Sequence, residues 1–221
     1  MVLIFTIKKS KYHIIGKIKN MQLIIISGPS GSGKTTLSKI LLKKLQDGII
    51  LNTDNYYKTG LISKILSKTV SSYFDRKISF NYELFKGDLE SILKNGFSNF
   101  SYTYNFKNKS VKKVYKHTQN IKFVILEGIF GKEIFKSISS NKCILIKLKI
   151  NKLSCMKRVI KRDYIERGKS KLLAERDFLK GWELFYRNIK ENNSRKYLKE
   201  ITVKNKSDIN SLLNNITKIV N

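Results

Sequence analysis

The sequence is poor in several residue types that particular classes of protein require. Its 221 residues include two cysteines, two histidines and one proline. Two cysteines build no disulfide framework, and together with two histidines they give no four-ligand zinc pattern. The longest apolar runs, such as 23–26 and 123–126, are too short to span a bilayer. These absences argue against a disulfide-rich module, a zinc domain and a membrane-spanning protein.

Acidic residues are also scarce, with 16 Asp and Glu against 45 Lys and Arg, which gives a net charge of +29. Such a charge favours nucleic acid as a partner, because lysines that bind phosphates release counterions. However, 38 of the basic residues are Lys and 7 are Arg, whereas phosphate recognition favours the bidentate geometry of Arg. Lys, Ile and Asn are abundant here and are residues of AT-rich codons. Codon bias therefore explains much of the charge, and we do not expect nucleic acid to be the main partner.

The first 20 residues match no targeting class. A secretory signal carries its positive charge before its apolar stretch, but here residues 2–5 precede Lys8 and Lys9. We therefore expect residues 1–20 to be an N-terminal extension of unknown role and residues 21–221 to be one domain. The hydrophobic content of 41% suffices for a core. Two free cysteines and no recognisable export signal favour an intracellular protein, cytoplasmic or organellar.

From Met21 onwards, short apolar runs alternate with longer helical stretches, which is typical of an α/β fold with a parallel sheet. The segment SYTYNFKNKSVKKVY is aromatic and β-favouring around a polar centre, which predicts a β-hairpin inserted at about 100–117. Gly168 separates two long helical stretches. The expected strands are 22–26, 49–51, 123–126, 143–150 and 201–203, and the expected helices are 35–45, 61–70, 84–93, 152–167, 171–189 and 209–220.

One motif dominates the chain: GPSGSGKT at residues 28–35 matches the phosphate-loop pattern G-x-x-x-x-G-K-[ST]. Its glycines let successive backbone N–H groups point at phosphate oxygens, and the following helix adds its dipole. We expect Lys34 to reach the β- and γ-phosphates and the Thr35 hydroxyl to bind Mg²⁺. A chance glycine turn is the alternative, but the motif lies between an apolar strand and an amphipathic helix, the context of true phosphate loops. The predicted nucleotide-binding residues are Gly28, Ser30, Gly31, Ser32, Gly33, Lys34, Thr35 and Thr36.

Two acidic residues follow other predicted strands, at the sheet edge where α/β proteins bind their ligands. Asp54 comes after the strand that ends at Leu51, and Glu127 comes directly after Leu126. Phosphoryl transfer to a hydroxyl needs a carboxylate that accepts the hydroxyl proton and acidic groups that help to hold magnesium. We expect Asp54 to be that base, close to the metal, and Glu127 to assist magnesium. A turn residue and an ordinary strand exit are the alternatives.

A basic cluster, KRVIKRDYIERGKS, follows in the second half of the chain. Arg158 and Arg162 are four residues apart and share one helix face, and Arg167 lies near the end of that helix. Several guanidinium groups near a helix end followed by glycine predict a lid, at about 158–175, that closes over the transferring phosphates. The alternative is a solvated helix in which Asp163 and Arg167 form an ion pair. We favour the lid because the chain also has a phosphate loop.

Several segments together resemble the uridine/cytidine kinases, relatives of phosphoribulokinase among the P-loop kinases. GPSGSGKTT resembles their phosphate loop, NTDNYYK resembles their segment with a catalytic aspartate and a following tyrosine, and VILEGIF resembles their E-G-I signature. YFDRKISFN is similar to N-F-D-H-P-D-A-F-D, YTYNF to P-x-Y-D-F, and RDYIERGKS to R-D-x-x-E-R-G-R-S. The resemblance is collinear from about residue 21 to residue 203.

The resemblance implies a P-loop NTPase-type parallel sheet, flanked by helices, with a β-hairpin over an acceptor nucleoside. It implies ATP or GTP as donor and transfer to the 5′-hydroxyl. The catalytic residues would be Asp54 as the base, with Lys34, Arg162 and Arg167 on the phosphates, and Thr35, Glu127 and Asp54 near magnesium. The implied acceptor-binding residues are Tyr57, Asp75 on the sugar, Tyr104 beside the base, Lys109, Arg158 and Asp177.

The acceptor segments depart from the family pattern. Their prolines are absent, and Asn105 stands where the family has an aspartate. Lys109 falls where a histidine reads the pyrimidine edge, and Asp177 falls on a glutamine. A substrate-side arginine falls near position 159, with Arg158 adjacent. Side chains that read a base by hydrogen bonds discriminate strongly, so these changes are expected to alter recognition of uridine. Family members are often tetramers, so a homo-oligomer is a further implication.

The sequence therefore predicts an ATP- and Mg²⁺-dependent kinase that phosphorylates a small-molecule hydroxyl, first of all the 5′-hydroxyl of uridine or cytidine, as in pyrimidine salvage. A related kinase acting on another hydroxylated metabolite, such as a sugar phosphate or vitamin precursor, is the first alternative. A basic nucleotide-dependent RNA-binding switch and a protein that binds nucleotide without turnover are the others. Asp54 argues against these last two, because nucleotide binding alone needs no acceptor-side base.

Overall fold

The structure is a computed structural model that describes residues 21–70, 72–128, 143–190 and 199–220. The predicted N-terminal extension, residues 1–20, lies outside the described residues. Five parallel strands form a sheet in the order β2-β5-β1-β6-β7, and β3 and β4 form an antiparallel hairpin. The strands are β1 (Gln22–Ser27), β2 (Gly48–Asn52), β3 (Ser98–Asn105), β4 (Ser110–Thr118), β5 (Phe123–Glu127), β6 (Cys143–Leu148) and β7 (Lys199–Val203). The helices are α1 (Lys34–Leu45), α2 (Leu61–Thr69), α3 (Tyr82–Asn95), α4 (Lys152–Arg167), α5 (Lys171–Lys190) and α6 (Lys206–Val220).

The predicted fold class is confirmed: a parallel sheet is flanked by helices and carries a hairpin. The central strands are apolar throughout because both faces of the sheet are covered. Successive side chains of a strand point to opposite faces, so that Leu23 and Ile25 pack on the side of α3, whereas Ile24 and Ile26 pack on the side of α1 and α6. Within the described ranges, no helix combines the length and apolar content needed to cross a membrane.

Two helices begin earlier than predicted because polar side chains cap them ahead of their first apolar residue. Helix α3 begins at Tyr82 instead of residue 84, and the side chain of Asn81 accepts a hydrogen bond from the Leu84 backbone N–H. Helix α6 begins at Lys206 instead of residue 209, where the Asn205 side chain accepts from the Asp208 backbone N–H at 2.9 Å. Apolar periodicity marks the buried face of a helix and not its first turn.

The strand order brings the predicted site segments together. Strand β5 lies between β1 and β2, and Glu127 at its end is level with Ile26 of β1 and Asn52 of β2. The phosphate loop continues from β1, and a short 3-10 segment, Thr53–Tyr56, continues from β2. Since parallel strands all end at the same edge, the loop, Glu127 and Asp54 meet at one place.

The hairpin is attached to this same edge. The Asn55 side-chain oxygen accepts a hydrogen bond from the Tyr104 backbone N–H of β3 at 3.1 Å. The Tyr56 ring packs edge-on against Phe85 of α3 at 4.9 Å and against Tyr102 of β3 at 5.3 Å between centroids. Aromatic packing and a backbone hydrogen bond therefore fix the hairpin to the segment that carries Asp54.

Candidate active site

The phosphate loop wraps around the side chain of Lys34. The Lys34 ammonium donates to the carbonyl oxygens of Gly28 and Pro29, both at 2.9 Å. Gly31 and Gly33 have φ angles of +77° and +93°, a conformation that favours glycine. A Cβ on Gly31 would also lie 2.4 Å from a backbone oxygen of α4, so the loop and this helix are in close contact. Desolvation lowers the pKa of Lys34, and the nearby carboxylates of Glu127 and Asp54 oppose this effect.

Most of the predicted nucleotide-binding residues line one large cavity of about 860 Å³. Gly28 and Ser32 are the exceptions among them, and both are buried. The buried Ser32 hydroxyl occupies the space where a Cβ on Gly28 would fall, 2.6 Å from it. The predicted nucleotide-binding residues that do line the cavity are Ser30, Gly31, Gly33, Lys34, Thr35 and Thr36.

Thr35 and Glu127 form a pair beside the lysine. The Thr35 hydroxyl donates to Glu127 Oε1 at 2.9 Å, and Glu127 is 2% exposed. Desolvation and the charge of Asp54 raise the pKa of Glu127, while Lys34 lowers it. In the described part of the chain no three His, Cys, Asp or Glu residues cluster as a complete metal site. A hydroxyl next to a carboxylate nevertheless fits Mg²⁺, which in phosphotransfer sites takes one or two protein groups and completes its shell with phosphates and water.

Asp54 is oriented by its neighbours. Its backbone N–H donates to the Asn52 side chain at 2.8 Å, which closes a tight turn after β2. The Tyr57 hydroxyl lies 3.2 Å from Asp54 Oδ1 and 2.9 Å from the backbone oxygen of Phe74. Desolvation, followed by the charges of Asp54 and Asp75, raises the pKa of Tyr57 well above its ordinary value. The tyrosine therefore remains neutral, and its one hydroxyl hydrogen is shared between the Phe74 backbone oxygen and Asp54 Oδ1.

The end of the cavity next to α5 combines a carboxylate with aromatic walls. Asp75 lies in a 3-10 turn against α5, where a Cβ on Gly181 would be 2.7 Å from Asp75 Oδ2. Desolvation, followed by the negative charge of Asp54, raises the pKa of Asp75 to about 6. Phe74 and Phe106 line the cavity with their rings 5.4 Å apart. This end therefore suits a ligand with polar groups and an apolar or aromatic body.

The basic cluster lines the cavity and forms ion pairs within its own helix, and the lid stays a prediction. Arg162 and Arg167 line the cavity, and both pair with Asp163, at 2.7 and 3.5 Å. Asp163 is 3% exposed and also pairs with Lys169 beyond the end of α4, at 3.5 Å. The Arg167 guanidinium lies 3.7 Å from the centre of the Phe106 ring, so that it connects α4 with the hairpin.

Arg158 is placed apart from this charge network. Its guanidinium donates to the backbone oxygen of Gly31 at 3.2 Å, and Arg158 also lines the cavity. It therefore faces the phosphate loop and not the acceptor end around Asp75. The family resemblance implies an acceptor-side role for this residue, and that role stays a prediction.

Three other predicted acceptor residues differ in how they meet the cavity. Lys109 lines it from the hairpin turn, with a φ of +52°. Asp177 also lines it, but its Oδ2 accepts a hydrogen bond from Lys169 at 2.9 Å. Tyr104 is 6% exposed and does not line the cavity; it packs behind Tyr57 and Phe106, at 5.3 and 5.0 Å between ring centroids.

Comparison with known proteins places the chain in a family. Residues 23–174, more than half of its length, match the profile of the Phosphoribulokinase / Uridine kinase family. The chain belongs to this family. A uridine kinase of Macrococcus caseolyticus is 30% identical over 156 residues, which cover 67% of this chain and 71% of that protein. A uridine kinase of Leuconostoc citreum is 42% identical over 76 residues, but these span only 36% of that protein and 33% of this chain.

Solved structures share the fold of this phosphoribulokinase/uridine kinase family member. A candidate fructose transport system kinase from Silicibacter sp. TM1040 superposes with a TM-score of 0.60 at 15% identity, covering 83% of this chain and 91% of that chain. YFH7 of Saccharomyces cerevisiae, described as a candidate P-loop containing kinase with a circular permutation, gives 0.58 at 12% identity, with 84% and 93% covered. At such identities the similarity concerns the fold alone.

Family membership was predicted from motifs, but several cavity residues were not. The sequence indicates Asp163 only as half of an ion pair with Arg167, although in the structure it pairs with two further cations. Lys169 is one of those cations and lines the cavity together with Phe106. The sequence does contain a signal for the position of Lys169. Gly168 precedes it with a φ of +67°, and a glycine in this conformation after a helix turns the chain back towards the helix end.

Proposed function

We propose that this member of the phosphoribulokinase/uridine kinase family is a kinase that transfers the γ-phosphate of ATP, or of GTP, to a small-molecule hydroxyl with the help of Mg²⁺. The preferred acceptor is the 5′-hydroxyl of uridine or cytidine. One observation carries the proposal. The phosphate-loop residues Lys34 and Thr35 and the acceptor-side carboxylates Asp54 and Asp75 line the same cavity of about 860 Å³.

The chemistry follows from where these groups lie. Bound Mg²⁺ would neutralise charge on the phosphates, and Thr35 and Glu127 are the residues that would hold it. Lys34 is held at the centre of the loop, where its ammonium interacts with the transferring phosphoryl group. As the acceptor oxygen bonds to phosphorus, Asp54 accepts the hydroxyl proton and the nucleoside diphosphate leaves. Tyr57 keeps the Asp54 carboxylate in position.

The acceptor end supports a nucleoside. In the proposed complex, the Asp75 carboxylate accepts hydrogen bonds from ribose hydroxyls, and the rings of Phe74 and Phe106 contact the base. Arg167 stacks on Phe106, and in the proposed complex it also contacts the phosphates, so that the hairpin and α4 cover both substrates. The printed names of the relatives, which are uridine kinases, agree with this proposal.

A second candidate acceptor is a hydroxylated metabolite with its own anionic group, such as a sugar phosphate. Lys68, Lys107 and Lys109 line the acceptor side of the cavity, and none of them forms an ion pair with a described residue. Desolvation, followed by the positive charges of Lys68 and Lys64, lowers the pKa of Lys109. Uncompensated cations around a cavity attract an anion, and this observation favours the second candidate.

The test is a steady-state phosphorylation assay with ATP and Mg²⁺ against uridine, cytidine, ribulose 5-phosphate and pantothenate. The control is Asp54→Asn, which keeps the shape of the side chain and removes its basicity. Turnover of uridine or cytidine that is lost in the variant supports the nucleoside kinase. Turnover of only ribulose 5-phosphate or pantothenate contradicts the nucleoside as acceptor and retains the kinase. Bound ATP without turnover of any acceptor contradicts both.

A further inference from the structure

A second cavity of about 360 Å³ lies on the other side of the segment that carries Asp54. It opens between β2, α3 and the base of the hairpin, and it shares no lining residue with the larger cavity. Its volume is within the range of sites that bind small organic molecules. None of the catalytic steps proposed above uses it.

The cavity contains an unsatisfied carboxylate oxygen. Asp88 of α3 lines it, and the buried Asp88 Oδ2 accepts no hydrogen bond from any residue that the structure describes. Buried polar atoms without a partner are rare in folded proteins and call for an explanation. This one is the more unusual because the chain has 45 Lys and Arg against 16 Asp and Glu, so cations to pair with are abundant. Desolvation raises the pKa of Asp88, while a hydrogen bond with Tyr56 and the positive charge of Lys113 oppose this effect, so that Oδ2 is the carboxylate oxygen left without a partner.

The walls next to Asp88 are aromatic. Phe97, Phe100 and Tyr102 of the hairpin and its approach line the cavity, together with Tyr56 from the segment after β2. The Phe100 and Tyr102 rings lie 5.9 Å apart and meet edge-on, as do Tyr102 and Tyr56 at 5.3 Å. Ring faces and edges of this kind form good contacts with a flat, largely apolar ligand.

We propose that this second cavity is a binding site for a flat heteroaromatic ligand whose amino-substituted edge donates hydrogen bonds to Asp88 Oδ2. The ring of the ligand packs against Phe100 and Tyr102, and its N–H groups satisfy the carboxylate oxygen. Aminopyrimidine, aminopurine and aminobenzimidazole rings have this chemistry. Rings that present only acceptor atoms do not, because a carboxylate cannot donate to them.

The position of the site connects it with the larger cavity. Asn55 and Tyr56 line the second cavity, whereas Asp54 and Tyr57, one residue before and one after them, line the first. The hairpin likewise presents Phe100 and Tyr102 to the second cavity, and Phe106 to the first. A ligand in the second cavity therefore touches the reverse side of the segment that positions Asp54, which makes it a candidate effector of the reaction.

The probe is 2-aminobenzimidazole, titrated calorimetrically into the full-length protein with ATP and Mg²⁺ present. Its control is benzimidazole, which has the same flat body without the amino group. We expect the amino compound to bind and benzimidazole to bind at least about tenfold more weakly, because a hydrogen bond to a charged group is lost. Equal affinities, or no binding of the amino compound at about 1 mM, would overturn the proposal.

Matched variants locate the binding. Asp88→Asn should weaken the amino compound about tenfold or more, while Glu90→Gln on the same helix should leave its affinity unchanged. Glu90 pairs with Lys86 and does not line the cavity. Asp54→Asn should also leave the affinity unchanged, because that carboxylate faces the other cavity. If Asp54→Asn weakens binding and Asp88→Asn does not, the compound occupies the larger cavity and the proposal fails. The comparison of the two compounds on the unchanged protein tests the proposal even if Asp88→Asn does not fold.

Discussion

Replacing Gly181 by alanine tests whether Asp75 binds the acceptor. Gly181 lies within α5, and a Cβ there would be 2.7 Å from Asp75 Oδ2 and 3.0 Å from its Cγ. Contacts this short force the Asp75 side chain to move. Alanine is better than glycine inside a helix by about 0.5–1 kcal/mol, so that this gain offsets much of the cost of the displaced carboxylate. We therefore expect Gly181→Ala to fold with nearly unchanged stability.

The kinetic effect of Gly181→Ala should be large and confined to the acceptor. A displaced Asp75 loses a hydrogen bond between a charged group and a hydroxyl, which is worth about 1.5–3 kcal/mol. The KM for uridine, or for whichever acceptor is turned over, should therefore rise about 10- to 100-fold. The KM for ATP should stay the same, because neither Gly181 nor Asp75 belongs to the phosphate loop.

The matched control is Gly87→Ala in α3, where an added Cβ meets no atom within 4 Å. It should raise the unfolding free energy by about 0.5–1 kcal/mol through the same helix preference, and it should leave both KM values unchanged. Thermal unfolding and initial-rate kinetics on the two variants separate stability from acceptor binding. An acceptor KM in Gly181→Ala equal to that of Gly87→Ala would refute the assignment of Asp75 to the acceptor.

Three further outcomes follow from the site. Asp54→Asn should lower kcat by about 10²–10⁴ and leave ATP affinity in equilibrium titration unchanged; an unchanged kcat would remove Asp54 as the base. Glu127→Gln should raise the Mg²⁺ concentration for half-maximal rate about tenfold, because one charge-assisted metal contact is lost. Because the pKa of Asp75 is raised to about 6, the carboxylate is protonated below that pH. The acceptor kcat/KM should therefore fall as pH decreases through about 6, and a pH profile without this decrease would contradict the role of Asp75.

The phosphate loop and the two strand-end acids were predictable because each depends on local sequence. A glycine-rich loop of this pattern between a strand and a helix folds into a phosphate loop, and acids that follow parallel strands meet at one edge of the sheet. Thr35 and Glu127 are indeed hydrogen-bonded at 2.9 Å although 92 residues separate them. The sequence did not contain a comparable local rule for Asp88, whose surroundings come from β2, α3 and the hairpin together.

The hairpin shows a different limit of prediction. Alternation along β3 places Tyr102 and Tyr104 on the same face, and similarity to a family motif selected Tyr104 for the acceptor. In the structure Tyr104 supports Tyr57 from behind, and Phe106 reaches the cavity. Whether Tyr104 or Phe106 lines the cavity depends on how far the hairpin extends over the sheet edge. Tertiary packing determines that distance.

The buried carboxylate of Asp163 has a consequence for how a phosphate would be received. Arg162, Arg167 and Lys169 are already gathered around it at 2.7 to 3.5 Å. Ordering each such side chain costs about 1.5–2 kcal/mol of rotamer freedom, and here folding has met that cost before any nucleotide arrives. Asp163 thus acts as a built-in counterion, and without it a bound phosphate would have to organise the three cations itself. In a chain of such strong positive charge, one buried acid thus gathers three cations at the cavity, and Asp177 holds one of them, Lys169, as well.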